Sequence, residues 1–135
     1  MRNYSLFQMF VLFLSSVLFS CKGESREINR VRVTYLPEYT NVMVPVTCES
    51  IDIMLTFRNT KVISDKAFLT SLSTELQGLK ANDSERSIDI RIKVLIDYSS
   101  KTDTLCLGEF FDTILNGNLM EDNPKLLDLI KSKIY

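Results

Sequence analysis

The sequence predicts an α+β domain, an antiparallel sheet with two helices packed on one of its faces, in the order β-β-α-β-β-(β)-α. Three observations lead to this fold class. The segment Ser87–Tyr98 alternates apolar with mostly polar side chains, Ser64 begins an amphipathic helical pattern, and Asn116-Gly117 marks a tight hairpin turn. Strand runs that are interrupted by single helices are typical of this class.

The segment Ser87–Tyr98 gives the clearest strand signal. Every second residue in it is apolar: Ile88, Ile90, Ile92, Val94, Ile96 and Tyr98. Because the side chains of a strand alternate between two faces, this spacing places these six on one face and nearly all of the charge on the other. A sheet with one face in water is usually antiparallel.

Two strands are predicted before the first helix. The alternation of basic and apolar residues over Arg30–Tyr35 indicates the first strand, and Pro37–Asn41 follows it as a loop. The second strand region is Val42–Phe57, in which Pro45 suggests a bulge or a sheet edge.

Two further hairpins are predicted after Tyr98. Ser99–Asp103 is a hairpin loop, and Thr104–Phe111 is the return strand. Asn116-Gly117 favours a type I′ turn, so Thr113–Leu115 and Asn118–Met120 are expected to form a small hairpin.

Both helices have readable start signals. Ser64 is the expected N-cap of the first helix, and Ile63 and Phe68 have the spacing of a hydrophobic staple. The second helix is expected to begin with Asn123 as N-cap and Pro124 at its first position. The apolar stripes of the two helices consist of Phe68, Leu69, Leu72, Leu76 and Leu79, and of Leu126, Leu127, Ile130 and Ile134.

The N-terminus has the order of a secretory signal peptide. Arg2 supplies a positive charge, Leu6–Phe19 is almost wholly apolar, and a small residue, Ser20, precedes Cys21. The apolar stretch is shorter than the roughly 20 residues that a spanning helix needs. The signal peptide is therefore predicted to cover residues 1–20.

The end of this segment, Leu18-Phe19-Ser20-Cys21, resembles the lipobox of bacterial lipoproteins. Leu18, Ser20 and Cys21 match that pattern, whereas Phe19 stands where a smaller or β-branched residue is usual. The resemblance implies that Cys21 is lipidated and becomes the first residue of the mature chain. The alternative is an ordinary signal peptide that is cut elsewhere, with Cys21 incidental.

The resemblance also implies a location in the cell. Lys22 stands where Asp is associated with retention in the inner membrane, so it favours the outer membrane of the cell envelope. Residues 21–27 then form the lipidated cysteine and a short tether, and residues 28–135 form a single α+β domain. The chain is expected to meet the membrane through its N-terminal lipid.

Composition excludes several kinds of function. Without Arg2, 15 basic and 17 acidic side chains remain, and the basic ones are scattered, which gives no field to attract nucleic acid. The sequence contains no histidine, so the commonest general base and every histidine-containing metal site or triad are missing. Its glycines form no phosphate-binding loop. We expect no cofactor and no metal.

Cys48 and Cys106 remain after lipidation of Cys21. The compartment is oxidising and permits a disulfide between them. Each lies in an apolar, strand-like run, so the alternative is two buried, reduced thiols that behave as small hydrophobic side chains.

The segment Asp112–Asn123 is rich in side-chain oxygens, but it fails the calcium-loop pattern at its third and twelfth positions, Ile114 and Asn123. A hairpin turn followed by a helix cap is the expected structure. Glu109 and Asp112 could serve as a glycosidase pair only with a cleft and a fixed separation, and solvated surface charge is the simpler interpretation.

Aromatic residues give the one positive functional signal. Tyr39 lies in a loop, and Phe110 and Phe111 are adjacent, so one of that pair is expected to point outward. They predict a partner surface near the sheet edge at Pro45 and the region Phe110–Asn118. Packing in the core or against a strand is the simpler role for these aromatic rings.

Two classes of function remain. The first is a non-catalytic interaction or inhibitor-like module that binds another envelope protein. The second is an envelope enzyme that uses carboxylates. A small-ligand carrier, with a site between sheet and helices, is hard to separate from the first class on sequence alone.

Overall fold

The computed structural model describes residues 27–54 and 56–135. The strands are β1 (Ile28–Tyr35), β2 (Asn59–Ile63), β3 (Ile90–Tyr98), β4 (Thr102–Gly108), β5 (Thr113–Leu115) and β6 (Asn118–Met120). The helices are α1 (Lys66–Gln77) and α2 (Pro124–Ile134), and a 3₁₀ helix spans Ser50–Ile53. Among these described residues, no helix is both long enough and apolar enough to cross a membrane.

The strands form one six-stranded sheet in the order β2-β1-β3-β4-β5-β6, and every neighbouring pair is antiparallel. This confirms the α+β class. The sheet has two ends that matter for the site. At one, the start of β1 pairs with the end of β3, and we call it the Ile28 end. At the other, called the Tyr35 end, β1 and β4 finish and β3 begins.

Both helices cover one face of the sheet, as predicted. Their apolar stripes pack against the strands, and Val31, Val94 and Leu105 lie fully buried between them. The predicted cap of α2 is confirmed, since Asn123 Oδ1 accepts from the backbone N–H of Leu126 at 3.1 Å and Pro124 begins the helix. The predicted cap of α1 is wrong by one residue.

Asp65, and not Ser64, is the N-cap of α1. Its backbone is extended, and its Oδ1 accepts from the N–H of Phe68 at 2.8 Å. A carboxylate is as good a cap as a hydroxyl and also favours the positive end of the helix dipole. Serine and aspartate are both preferred at the N-cap, so the capping preference alone does not decide between Ser64 and Asp65.

The predicted second strand, Val42–Phe57, is wrong. Its described residues form a loop and the 3₁₀ helix across the face of the sheet opposite the helices, which we call the outer face. We call this segment the outer loop. The real second strand is β2. Val46 and Ile51 are buried against Ile90 and Cys106 in a second apolar cluster. Apolar residues at strand-like spacing here pack a loop against the sheet.

The start of this loop structure has a local cause. The N–H of Thr47 donates to Ser50 Oγ at 2.7 Å, and the N–H of Ser50 donates to Thr47 Oγ1 at 3.1 Å. These reciprocal bonds resemble a capping box and favour a helical turn over a strand. Pro45, two residues before Thr47, also lies in a loop and not at a sheet edge.

The strand β3 also departs from the predicted pattern at its beginning. Ile92, Val94 and Ile96 belong to the helix-covered core, as expected. Ile90 instead joins the outer cluster, because the register against β4 shifts between Ile90 and Ile92. A bulge of this kind turns a side chain to the other face.

Candidate functional site at the Tyr35 end

Three aromatic side chains lie in the two loops at the Tyr35 end. Tyr39 follows β1, and Phe110 and Phe111 occupy the loop between β4 and β5. Their exposed fractions are 82% for Tyr39, 66% for Phe110 and 58% for Phe111. We call these three residues the aromatic patch. Both rings of the Phe pair are exposed, whereas the sequence predicted that one of them points outward.

The two loops are bonded to one another. The backbone N–H of Tyr39 donates to Glu109 Oε1 at 2.9 Å, across 70 positions of sequence. Lys131 Nζ, from α2, donates to the Glu109 carbonyl at 3.3 Å and lies 2.7 Å from Glu38 Oε1. One helix side chain therefore holds both loops, and the aromatic patch is built on a fixed base.

Tyr39 adopts an unusual backbone conformation. Its φ is 60°, in the left-handed region that glycine and asparagine favour and that a bulky residue rarely occupies. Such a conformation costs on the order of 1 kcal/mol and persists where surrounding contacts enforce it. Here its own N–H is fixed by Glu109, so the loop carries an exposed ring on a strained backbone.

The buried residue Asp112 fixes the loop between β4 and β5 to the neighbouring parts of the chain. Asp112, which is only 2% exposed and has φ 71°, donates its N–H to Asp122 Oδ1 at 2.9 Å and accepts from the N–H of Asp89 at 3.3 Å. Arg86 Nε lies 3.0 Å from Asp112 Oδ1, an ion-pair distance without the alignment of a hydrogen bond. Arg86 also binds Asp122 through both terminal nitrogens, at 2.8 and 3.2 Å.

Gly108 makes the turn into this loop possible. A Cβ at this position would stand 2.1 Å from the carbonyl oxygen of Phe111 and 3.1 Å from that of Asp89. Since both obstacles are backbone atoms, only glycine fits here without moving the loop that carries Phe110 and Phe111.

Tyr135 directly follows α2 and contacts the end of β1. Its ring packs edge-on against Tyr35 with centroids 5.4 Å apart, and its hydroxyl donates to the carbonyl of Leu36. Burial, followed by the nearby charges of Glu38 and Glu109, raises the pKa of Tyr135 to about 12.

This shift predicts an alkaline loss of stability. The folded domain favours the protonated hydroxyl, so the contribution of Tyr135 is complete below the ordinary tyrosine pKa of about 10 and disappears as the pH rises toward 12. Thermal midpoints of the wild type and Tyr135→Phe should differ at pH 8 and converge between pH 10 and 12. A constant difference across this range would contradict the assignment.

The charges that border the patch are largely satisfied within the domain. Lys131 pairs with Glu38, and Arg91 Nη2 lies 2.7 Å from Asp89 Oδ2. Glu109 accepts a backbone N–H. Among the described residues at this end there is thus no excess of positive charge of the kind that nucleic acid or anionic lipid needs.

The structure brings together only part of the predicted partner surface. Tyr39, Phe110 and Phe111 share one end of the sheet. Pro45 lies in the outer loop, and Asn116-Gly117 turns the β5–β6 hairpin away from that end, with the N–H of Asn116 bonded to the carbonyl of Thr104. The supporting residues Glu38, Lys131 and Tyr135 were not singled out from the sequence.

The cysteines fall in two places. Cys21 lies outside the described residues. Cys48 and Cys106 are joined in a disulfide with a Cα–Cα distance of 5.8 Å, which ties the outer loop to β4. Cys106 lies in a strand as expected, but Cys48 lies in the turn before the 3₁₀ helix.

The other residues that were considered as catalytic or calcium-binding groups make structural contacts. Glu109 caps the N–H of Tyr39, and Asp112 is buried beside Arg86. In the segment Asp112–Asn123, which was compared with a calcium loop, Asn116 Oδ1 accepts a hydrogen bond from the N–H of Thr104 at 2.8 Å. Within residues 27–54 and 56–135, no group of three or more Cys, Asp or Glu side chains is arranged to hold a metal ion.

A cavity of about 460 Å³ opens on the outer face beside the disulfide. Its apolar wall includes Cys48, Ile88, Ile90 and Ile114, and its polar wall includes Lys93 and Asn116. Lys93 is also paired with Asp52. This volume is in the range of small-molecule sites, which makes the cavity the second feature of interest.

A comparison of the chain with protein-family models, with curated proteins and with solved structures gives no match.

Proposed function

We propose that this chain is a lipid-anchored cell-envelope protein that acts as a non-catalytic interaction or inhibitor-like module, with the aromatic patch as its binding surface. The observation that carries this proposal is the exposure of Tyr39, Phe110 and Phe111 on two loops that are bonded together. Exposed aromatic side chains on a rigid base lose little conformational entropy on binding and are typical of interface hot spots.

The strain at Tyr39 adds support. A bulky residue held in the left-handed region by other parts of the fold is more common at functional sites than elsewhere. Glu109 accepts the N–H of Tyr39 and Asp112 lies beside Arg86, so both carboxylates that the enzyme alternative considered make structural contacts in this loop.

The proposed anchor gives a testable prediction. Cys21→Ala should abolish lipidation, so the protein should leave the membrane fraction or retain an uncut signal peptide. Membrane fractionation and intact-mass measurement of the N-terminus check this. Cys21→Ala tests the anchor without touching the domain, since Cys48 and Cys106 keep their disulfide. A mature N-terminus at another, unmodified residue would refute the lipoprotein assignment.

A further prediction concerns the aromatic patch. Phe111→Ala and Tyr39→Asn should each weaken partner binding by about 2 kcal/mol or more, roughly thirtyfold in Kd, because each removes an exposed hot-spot ring. Asparagine is chosen at Tyr39 because it tolerates the left-handed backbone. The thermal midpoint should stay nearly unchanged. Partner recovery from crosslinked envelopes, quantified by mass spectrometry, measures the effect.

Val62→Ala is the matched control, because Val62 is 63% exposed on β2 and lies outside the patch. It should leave partner recovery intact. If Phe111→Ala instead unfolds the domain, the ring is part of the core. If all three variants bind equally, the binding surface lies elsewhere.

The cavity beside the disulfide favours a second candidate function, a small-ligand carrier on the outer face of the sheet. Native mass spectrometry of the full chain extracted from its own membranes distinguishes the two. A stoichiometric small molecule, lost when Ile114→Phe narrows the cavity, would support the carrier. A bound protein, lost with Phe111→Ala, would support the interaction module.

A further inference from the structure

The position of the patch relative to the proposed anchor follows from the strand directions. β1 begins at Ile28 and ends at Tyr35, immediately before the loop that carries Tyr39. β4 runs in the same sense, because both strands pair antiparallel to β3, and it ends at Gly108 just before Phe110. The chain therefore enters the domain at one end of the sheet, and the aromatic patch lies at the other.

Chain length limits how far the domain can turn. Seven Cα–Cα steps separate Cys21 from Ile28. Whatever their conformation, these steps span at most roughly 25 Å. The same number of steps along β1 rises roughly 23 Å, and the patch lies beyond the end of that strand. Turning the domain over to place the patch on the lipid would need the connection stretched to its limit along the whole sheet.

On these grounds, and resting on the proposed lipid anchor at Cys21, we infer that the aromatic patch faces away from the anchoring membrane and binds a protein that approaches from the opposite side with an uncharged, apolar surface. The orientation comes from the directions of β1 and β4, which both end at the patch. The chemistry of the partner comes from the patch, whose rings are exposed while Lys131 is paired with Glu38.

The same geometry disfavours a second copy of the chain as the occupant. Two copies that met symmetrically through their Tyr35 ends would point their Ile28 ends in opposite directions. When both copies stand on the same bilayer with their Ile28 ends toward it, their Tyr35 ends point the same way. Upright copies in one membrane therefore cannot meet end to end through the patch.

The surface that faces the membrane is the end of the sheet near Ile28 together with the exposed side of α1. Glu27, Ile28, Lys66, Thr70 and Thr74 line a groove there. Its side chains are mostly polar or charged, so this end of the domain has little to bury in lipid. The domain is thus positioned by its connection to Cys21 and not by insertion.

The experiment uses the full lipidated chain in vesicles of phosphatidylethanolamine and phosphatidylglycerol. A fluorescent amino acid is placed at Thr70, beside the groove at the Ile28 end, or at Phe111, with an acceptor dye on the lipid headgroups. Energy transfer should be at least about twofold more efficient from Thr70, because the two positions differ in height by roughly the rise of β1. Equal transfer from both would overturn the orientation.

A longer connection is the control. Insertion of about twenty Gly and Ser residues after Lys22 adds a span comparable to the domain itself and should reduce the difference between Thr70 and Phe111. A difference that persists unchanged would show that the connection does not set the orientation, and the inference would fail.

Three further outcomes separate the causes of failure. A chain that does not associate with vesicles at all refutes the proposed anchor, and the inference falls with it. Clustering of empty vesicles that depends on Phe111 would make an opposing membrane, and not a protein, the occupant. Photo-crosslinking from Phe111 to a second copy in the same vesicle would overturn the argument against self-association.

Discussion

Removal of the disulfide, by Cys48→Ser together with Cys106→Ala, is expected to destabilise the domain by about 4 kcal/mol. The bridge closes a loop across a sequence separation of 58 residues, and the loop-closure model gives about this value for that length. Its loss also releases the outer loop, whose Val46 and Ile51 are buried against the sheet. For a domain of this size the melting midpoint should fall by roughly 15 °C.

The effect should be local as well as global. Hydrogen exchange at Val46 and Ile51 should accelerate far more than at Val94, which lies in the helix-covered core. Reduction of the wild type should reproduce the behaviour of the double variant, because both remove the same covalent link. A melting midpoint that changes by less than about 4 °C would show that the outer loop is held without the bridge.

The segment that the disulfide fixes is also where sequence reasoning failed. Val42–Phe57 has apolar residues at alternate positions, and a strand is the usual result. The Thr47–Ser50 bonds favour a helical turn locally, but the contacts that hold the segment on the sheet are non-local. Cys48 pairs with Cys106 on β4, and the shift at Ile90 turns a strand residue outward to meet the loop. Neither contact has a signal in the local pattern.

Elements with a local cause were predicted well. Asn116 and Gly117 both have positive φ, 50° and 82°, as the predicted type I′ turn requires. Asn123 caps α2 because its side chain reaches the N–H three residues ahead. In such places the residues that determine the structure are neighbours in sequence, so the pattern is sufficient.

The candidate site depends on both local and non-local features of the sequence. Tyr39, Phe110 and Phe111 could be selected from sequence as loop or adjacent aromatic residues. Their proximity depends on one bond between the N–H of Tyr39 and the carboxylate of Glu109. A carboxylate that accepts from a backbone N–H distant in sequence leaves no periodicity, so the patch as a surface emerges only in the folded chain.

Ile92→Asp is expected to have the other large effect, a loss of more than about 4 kcal/mol that leaves the domain unfolded at room temperature. Ile92 is fully buried on the helix-covered face, where β3 lies between Tyr35 of β1 and Leu107 of β4. A carboxylate there loses its hydration and meets only apolar side chains. Circular dichroism and susceptibility to proteolysis measure the outcome.

The matched control is the same substitution at an exposed isoleucine. Ile53 is 77% exposed at the end of the 3₁₀ helix, so Ile53→Asp should change the free energy of unfolding by no more than about 0.5 kcal/mol. Lys93, the neighbour of Ile92 on the outer face, is a poorer control because it is paired with Asp52. Ile92→Val, which removes one methylene and still folds, should cost about 1 kcal/mol. If Ile92→Asp is as mild as Ile53→Asp is expected to be, Ile92 is not buried, β3 presents its other face to the helices, and the register of the sheet has to be reassigned.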